Sequence, residues 1–342
     1  MVVASVVRLR SFLFVITLAS ASLLTLTTAA SAQQNSAEPY APTRTAWGDP
    51  DLQGIWSNTT STPFERPSEF GERAFLTDEE FAEAQEEATE RARNAESSSN
   101  EGSTAGPDHW YEHLGKTSNR TSHVVDPPDG KVPSLTTEAE QRPIIGTVNR
   151  ERLKMPFDSW NDLSAWDRCI TRGVPGSIFP TFYNNNYQIL QIPGYVVILY
   201  EMIHDARIIP VDGRPHLSDS LRQWMGDSRG YWEGDTLVVE VGNFTDQTII
   251  HPTRSTASQV QHSEDLRVVE RFTRVDPSTI DYQVTIQDPR TFTRDWTVSI
   301  PMTTDGAPTE ILEYACQEGQ QAVRNILSGA RAQERKAAGT GR

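Results

Sequence analysis

NYQILQIPGYVVILYEMIHDARIIPVDGRPH, residues 186–216, decides the fold. Its apolar runs at 187–192, 195–201 and 206–211 are short and strand-like. They are broken by Pro193-Gly194, by the polar knot MIHDAR (202–207) and by Asp212-Gly213. Pro, Gly and Asp supply the dihedrals of tight turns, so closely spaced antiparallel strands are expected. Working outward, WEGDTLVVEVGNF (232–244) continues the pattern, and five further runs at 235–241, 266–274, 280–287, 293–300 and 309–315 bring the expected strands to eight. Asp276-Pro277-Ser278-Thr279 and Asp288-Pro289-Arg290 are turn sequences that make the last four a meander. Eight antiparallel strands of this length suit a closed barrel, whose interior holds side chains or one small ligand.

The chain begins with Arg8 and Arg10, runs through an apolar stretch from Phe12 to Leu26, and reaches Ala30-Ser31-Ala32 before a polar segment. That order predicts a secretory signal peptide cleaved near Ala32, and hence a periplasmic or secreted protein. An uncleaved anchor is the rival reading. No later stretch approaches the ~20 apolar residues that span a bilayer, so stable membrane insertion is not expected. Losing Arg8 and Arg10, with no acidic residue in the same segment, takes the net charge from −15 to −17. Nucleic-acid binding rests on a basic footprint, which this chain lacks. Cys169 and Cys316 are the only cysteines. In an oxidising compartment one disulfide between them is the simplest expectation.

Residues 33–46 read as a polar leader, and 47–342 as one domain: a wrapping segment over 47–185, the barrel over 186–316, and a C-terminal helix and tail over 317–342. WGDPDLQGIW (47–56) predicts a turn that plugs an aromatic side chain into an apolar surface. Thr77 with Glu80 three residues on forms a capping box, predicting a helix to about Ala95. The Ser-, Asn-, Gly- and Glu-rich stretch 96–106 predicts a flexible loop, because it has too little apolar area to order itself. Shorter helix signals lie at Thr137 and near Asn149, and a last helix is expected over 318–336, interrupted or capped near Gly329.

PDLQGIW (50–56), the 184–216 stretch, QWMGDSRGYWEGDTLVVEVGNFTD (223–246) and ERFTRVDPSTIDYQVTIQDPRTFTRDWTVSIPM (270–302) together resemble a family of uncharacterised secreted bacterial proteins of lipocalin-like appearance. The resemblance implies a secreted protein with a lipocalin-like β-barrel, and it brings no activity with it. Roles therefore come from residue chemistry.

Glu201, His204, Asp205 and Arg207 are expected around one barrel rim. A His flanked by carboxylates can act as a general base, with Glu201 or Asp205 orienting it and Arg207 holding an oxyanion. The same residues also make an ion-paired hairpin end. Gly213 to Trp232 reads as a lid over the mouth, with a short helix capped at Ser218 or Asp219 and running through Trp224. It would bring His216, Arg222 and Trp224 to a ligand; pairing of Arg222 and Arg229 with Asp219 and Asp227 is the alternative. Asn184, Asn185 and Asn186 line the opposite rim or satisfy turn backbone groups, and Tyr183 is a candidate phenolic acid. His109 and His113 have the only ligand-like spacing, in an irregular context, so no metal is expected. No Gly-rich nucleotide loop and no GxSxG elbow occurs, so no cofactor is expected either. These readings converge on a cofactor-independent lyase or isomerase for a small, partly aromatic molecule such as a lignin-derived compound. The alternative is a non-catalytic small-molecule carrier.

Overall fold

The computed structural model describes residues 40–96, 112, 117–152, 154–181, 183–250 and 260–339. In chain order the strands are β1 (Gly54–Ser57), β2 (Val124–Asp126), β3 (Asn186–Ile192), β4 (Tyr195–Tyr200), β5 (Ala206–Pro210), β6 (Asp227–Glu233), β7 (Thr236–Gly242), β8 (Ile249–Ile250), β9 (Val260–Gln261), β10 (Arg267–Asp276), β11 (Thr279–Gln287) and β12 (Trp296–Thr303). The helices are α1 (Asp78–Glu96), α2 (Thr137–Glu140), α3 (Thr147–Arg152) and α4 (Ala322–Gly339). Nine strands in the order β5-β4-β3-β1-β12-β11-β10-β7-β6 curl into a nearly closed antiparallel barrel, with β2 beside β12 and β8–β9 a separate hairpin. The architecture fits a lipocalin-like barrel.

Strand alternation builds the core. On β4, Val196, Ile198 and Tyr200 are buried while Tyr195, Val197 and Leu199 are partly exposed, the period of two that a pleated strand imposes. The same period sends Arg207 and Ile209 of β5, Val268, Glu270 and Phe272 of β10, and Tyr282 and Val284 of β11 into the buried interior. Phe64 and Phe179 of the wrapping segment meet Trp296 and Phe292 in edge and tilted ring contacts, 5.1 to 6.3 Å between centroids. This cluster shares one core with the barrel interior.

β5 and β6 end the sheet without pairing with each other. The gap is bridged by side chains: Arg207 Nε donates to Ser228 Oγ at 3.0 Å, and Ile209 and Val211 sit over Gly230. A Cβ on Gly230 would lie 2.8 Å from Val211 Cγ1, so only glycine allows this approach.

Several expectations change. The wrapping segment contributes β1 and β2 to the sheet. GIWS is too short, and VVD too short and too near prolines, to stand out from irregular chain. The last six residues of the expected lid belong to strand β6, hidden by the polar DSRGYWE composition, and the short helix through Trp224 gives way to turns. Residues 309–315 form no strand, because β12 is already flanked by β11 on one side and by β1 and β2 on the other. β12 itself starts three residues late, since Thr293 N–H is taken by Ser134 O of the wrapping segment. Trp56 is the plugged aromatic, fully buried with its indole N–H on Leu52 O, whereas Trp47 is exposed.

Other expectations hold. Cys169 and Cys316 are bonded, with Cα atoms 5.7 Å apart. Thr77 Oγ1 accepts from Glu80 N–H and Glu80 Oε2 from Thr77 N–H, the reciprocal capping box of α1. α2 and α3 lie at the two short helix signals, and α4 runs on through Gly329. Of the leader, residues 40–46 are described, and Arg44 pairs with Asp235 at 2.6 Å. The expected signal peptide and the expected flexible loop, apart from Glu96, lie outside the described residues. Among the described residues no helix is long and apolar enough to cross a membrane.

Candidate functional site

The knot after β4 turns sharply. Glu201 is already helical in φ and ψ, and Ile203 and His204 take left-handed conformations with φ of 63° and 46°. The alternation of β4 therefore stops at Tyr200, and Glu201 turns inward, 4% exposed, instead of following Leu199 outward. Its Oε2 accepts from Asn186 Nδ2 at 2.7 Å. Burial pushes the Glu201 carboxyl up, Asn186 opposes this, and the nearby charge of Glu112 adds to it.

The rest of the expected dyad is not assembled. His204 is exposed and its Nδ1 lies 2.9 Å from the backbone oxygen of Tyr314. Asp205 instead accepts from Thr171 Oγ1 at 2.6 Å, and burial pushes its carboxyl up too. Neither Glu201 nor Asp205 hydrogen-bonds the His204 ring, because the left-handed turn at 203–204 swings that ring outward.

Arg207 is not at the rim. It lies inside the barrel in a two-pronged ion pair with Glu270, with Nη1 also donating to Tyr200 Oη at 3.0 Å, while Tyr282 Oη donates to Glu270 Oε1 at 3.0 Å. Burial works against the Arg207 charge, and the attraction of Glu270 overcomes it and raises the guanidinium pKa. β5 puts residue 207 on its inward face, where an unpaired charge could not stay. The expected lid residues are also committed. His216 Nδ1 sits 2.9 Å from Asp227 Oδ2, and Arg229 holds the other oxygen at 2.6 Å. Arg222 donates to the Glu264 backbone oxygen at 2.8 Å. Trp224 is half-buried with the Arg168 guanidinium 5.9 Å from its ring centre. Met225, whose sulfur takes a 2.8 Å contact from Thr171 Oγ1, is one link from this segment to the corner.

A different set of residues comes together beside the Asn184–Asn186 run. Glu112 accepts from Asn184 N–H at 2.7 Å, from Asn185 Nδ2 at 2.8 Å and from Thr59 Oγ1 at 2.7 Å, so Asn184 and Asn185 satisfy a carboxylate rather than lining an open rim. Tyr183 is half-buried and hydrogen-bonds Tyr314, whose phenol burial pushes up to about 12. Arg172 is 4% exposed and faces Tyr187, Tyr314 and Tyr183. Its Nε and Nη2 have no hydrogen-bond partner among the described residues, and burial pushes its pKa down to about 10, leaving it charged at neutral pH.

Sequence reading missed Arg172, Tyr314 and Glu112. The first two carried a usable signal: Arg172 follows Cys169 by three residues and Tyr314 precedes Cys316 by two, so the disulfide that joins the cysteines also joins them. Glu112 was visible only as the centre of HWYEH, whose two His lie outside the described residues. Among the described residues no group of three His, Cys, Asp or Glu is placed to hold a metal ion. Comparison with protein-family models, with curated proteins and with solved structures gives no match to this chain.

Proposed function

We propose that the protein is a periplasmic or secreted, cofactor-independent acid–base enzyme, a lyase or isomerase acting on a small, partly aromatic molecule such as a lignin-derived compound, at the rim formed by Glu201, Asn186, Tyr183 and Tyr314. The observation that carries the reading is Glu201: a buried carboxyl held by a neutral amide rather than a cation, with its pKa raised. A carboxylate in that state is a stronger base than a solvated one, as proton abstraction near neutral pH requires. Glu201 thus takes the role that the sequence assigned to His204, whose ring fixes the Tyr314 backbone from outside. The phenols of Tyr183 and Tyr314 supply a proton donor to the leaving or rearranging oxygen.

A lipocalin-like carrier would hold its ligand inside the barrel, but the interior carries the Tyr200, Arg207, Glu270, Phe272 and Tyr282 side chains. The test is turnover of lignin-type dimers, phenolic esters and small terpenoids by the purified protein, with and without a chelator. Glu201→Gln should lower kcat by roughly 10²- to 10⁴-fold, the usual contribution of a positioned base. His204→Ala should keep most activity, and the chelator should change nothing. Saturable binding with no product would make the protein a carrier, and full activity in Glu201→Gln would end the acid–base proposal.

A further inference from the structure

Among the described residues four arginines are almost completely buried, and three are satisfied. Arg207 pairs with Glu270, Arg150 with Asp162 at 2.9 Å, and Arg66 donates to Thr121 Oγ1 at 2.9 Å and Pro128 O at 2.8 Å. Arg172 differs: it has no ion pair among the described residues, and the two nitrogens left without partners are Nε and Nη2. Those two N–H groups point the same way along one edge of the guanidinium, the fork that a carboxylate accepts with both oxygens. The planar face of the same group stacks on Trp166, 5.0 Å from the ring centre. Phenols of Tyr183, Tyr187 and Tyr314 stand close enough to act on its charge.

The backbone is shaped to hold Arg172 there. Gly173 has φ of +70°, and a Cβ on Gly176 would fall 2.4 Å from the Arg172 carbonyl oxygen, so the turn that carries the side chain closes only with glycine at 176. Three residues upstream, Cys169 fastens the segment to Cys316. Burying a cation without a counter-ion costs several kcal/mol, which a fold carries when something else supplies the anion.

We propose that Arg172 is the binding group for the carboxylate of a small aromatic acid, gripped edge-on by Nε and Nη2, with the ring of that acid among Trp166, Tyr183 and Tyr314. This names the substrate class of the rim and rests on the acid–base reading above. A monoanion fits better than a phosphate dianion, because Glu112 already places negative charge beside Tyr187.

The test compares benzoate with benzamide, which match in shape and differ in charge, by titration calorimetry on the intact protein and on Arg172→Met, Arg172→Lys and Glu201→Gln. Benzoate should bind the native protein and Glu201→Gln alike, and benzamide far more weakly. Arg172→Met should weaken benzoate by roughly tenfold to a hundredfold, the range that charge-assisted hydrogen bonds carry. Arg172→Lys, which keeps the charge and loses the fork, should fall between. Without ligand, Arg172→Met should melt no lower than the native protein, since an uncompensated charge has been removed.

Equal affinity for benzoate and benzamide, unchanged benzoate affinity in Arg172→Met, or a large fall in its melting temperature would each overturn the proposal. Should Arg172→Met fail to fold, the proposal fails on that ground, and the Arg172→Lys titration shows whether the charge alone binds benzoate. Benzoate binding without turnover of any substrate would leave the anion site standing and sink the enzyme. Turnover lost in Glu201→Gln, with benzoate ignoring Arg172, would do the reverse.

Discussion

Arg207→Met separates a residue that serves the fold from one that serves a ligand. The substitution leaves Glu270, 0% exposed, with the Tyr282 hydroxyl as its remaining donor from the network and strands the Tyr200 phenol. Stranding one member of a buried ion pair typically costs about 3 to 5 kcal/mol. For a domain of this size each kcal/mol is worth about 2 °C, so a fall of about 6 to 10 °C in Tm is expected. Adding Glu270→Gln removes the orphaned charge while its amide can still accept from Tyr282 and donate to Tyr200. The double variant should therefore be more stable than Arg207→Met by about 2 kcal/mol, a coupling that distant residues do not show. Urea denaturation followed by tryptophan fluorescence measures both differences, and kcat/KM on the folded variants should stay unchanged. Arg207→Met within 1 kcal/mol of the native protein, or a raised KM with stability intact, would refute the assignment of Arg207 to the fold.

Burial holds His123 at a pKa of about 4, against about 6.5 for an exposed imidazole. Above pH 6.5 the ring is neutral in both states. As pH falls toward 4 the unfolded chain takes up the proton first, so about 3 kcal/mol of stability should be lost over that window, with His262 adding in the same direction. His123→Asn should flatten the corresponding part of a urea-midpoint profile between pH 7 and 4. Replacing both Cys169 and Cys316 by Ser should cost up to about 5 kcal/mol, the loop-entropy value for a separation of 147 residues, and should weaken benzoate binding because Arg172 loses its anchor; calorimetry reads both. Thr77→Ala should cost about 1 kcal/mol through loss of the α1 cap, seen as a small drop in the midpoint of thermal unfolding.

β3, β4 and β5 were legible because Pro193-Gly194 and Asp212-Gly213 punctuate runs whose apolar residues alternate. β10 and β11 were legible for the same reason around Asp276-Pro277. β1 and β2 were not, since four and three residues carry no period and their place in the sheet is decided by partners more than a hundred residues away. The Glu-Leu-Tyr pattern at 309–315 looked like a strand, but β12, the strand before it, is already flanked on both sides. At the site, residue types pointed to the right corner and the wrong actors. His204 and Arg207 differ from Glu201 only in how a 3₁₀ turn and one strand face direct them, and a single residue of register decides that. Arg172 was hidden because a lone arginine looks the same in sequence whether its partner is a carboxylate of the chain or a guest.

The unpaired junction between β5 and β6 gives this barrel a direction in which to come apart. Val211 N–H donates to Gly194 O and Tyr200 N–H to Asp205 O, so along β5 the odd-numbered amides face β4. Ala206 and Ile208 turn theirs to the junction, and Pro210 has none to turn. A proline with no donor and an Ile208 side chain 63% in solvent leave little there for another strand to template on, while the amides of β10, bonded on both sides, stay locked. Hydrogen–deuterium exchange should therefore run ahead at Ala206 and Ile208, marking the slit along which the wall first parts and the direction from which solvent enters the Arg207–Glu270 pair.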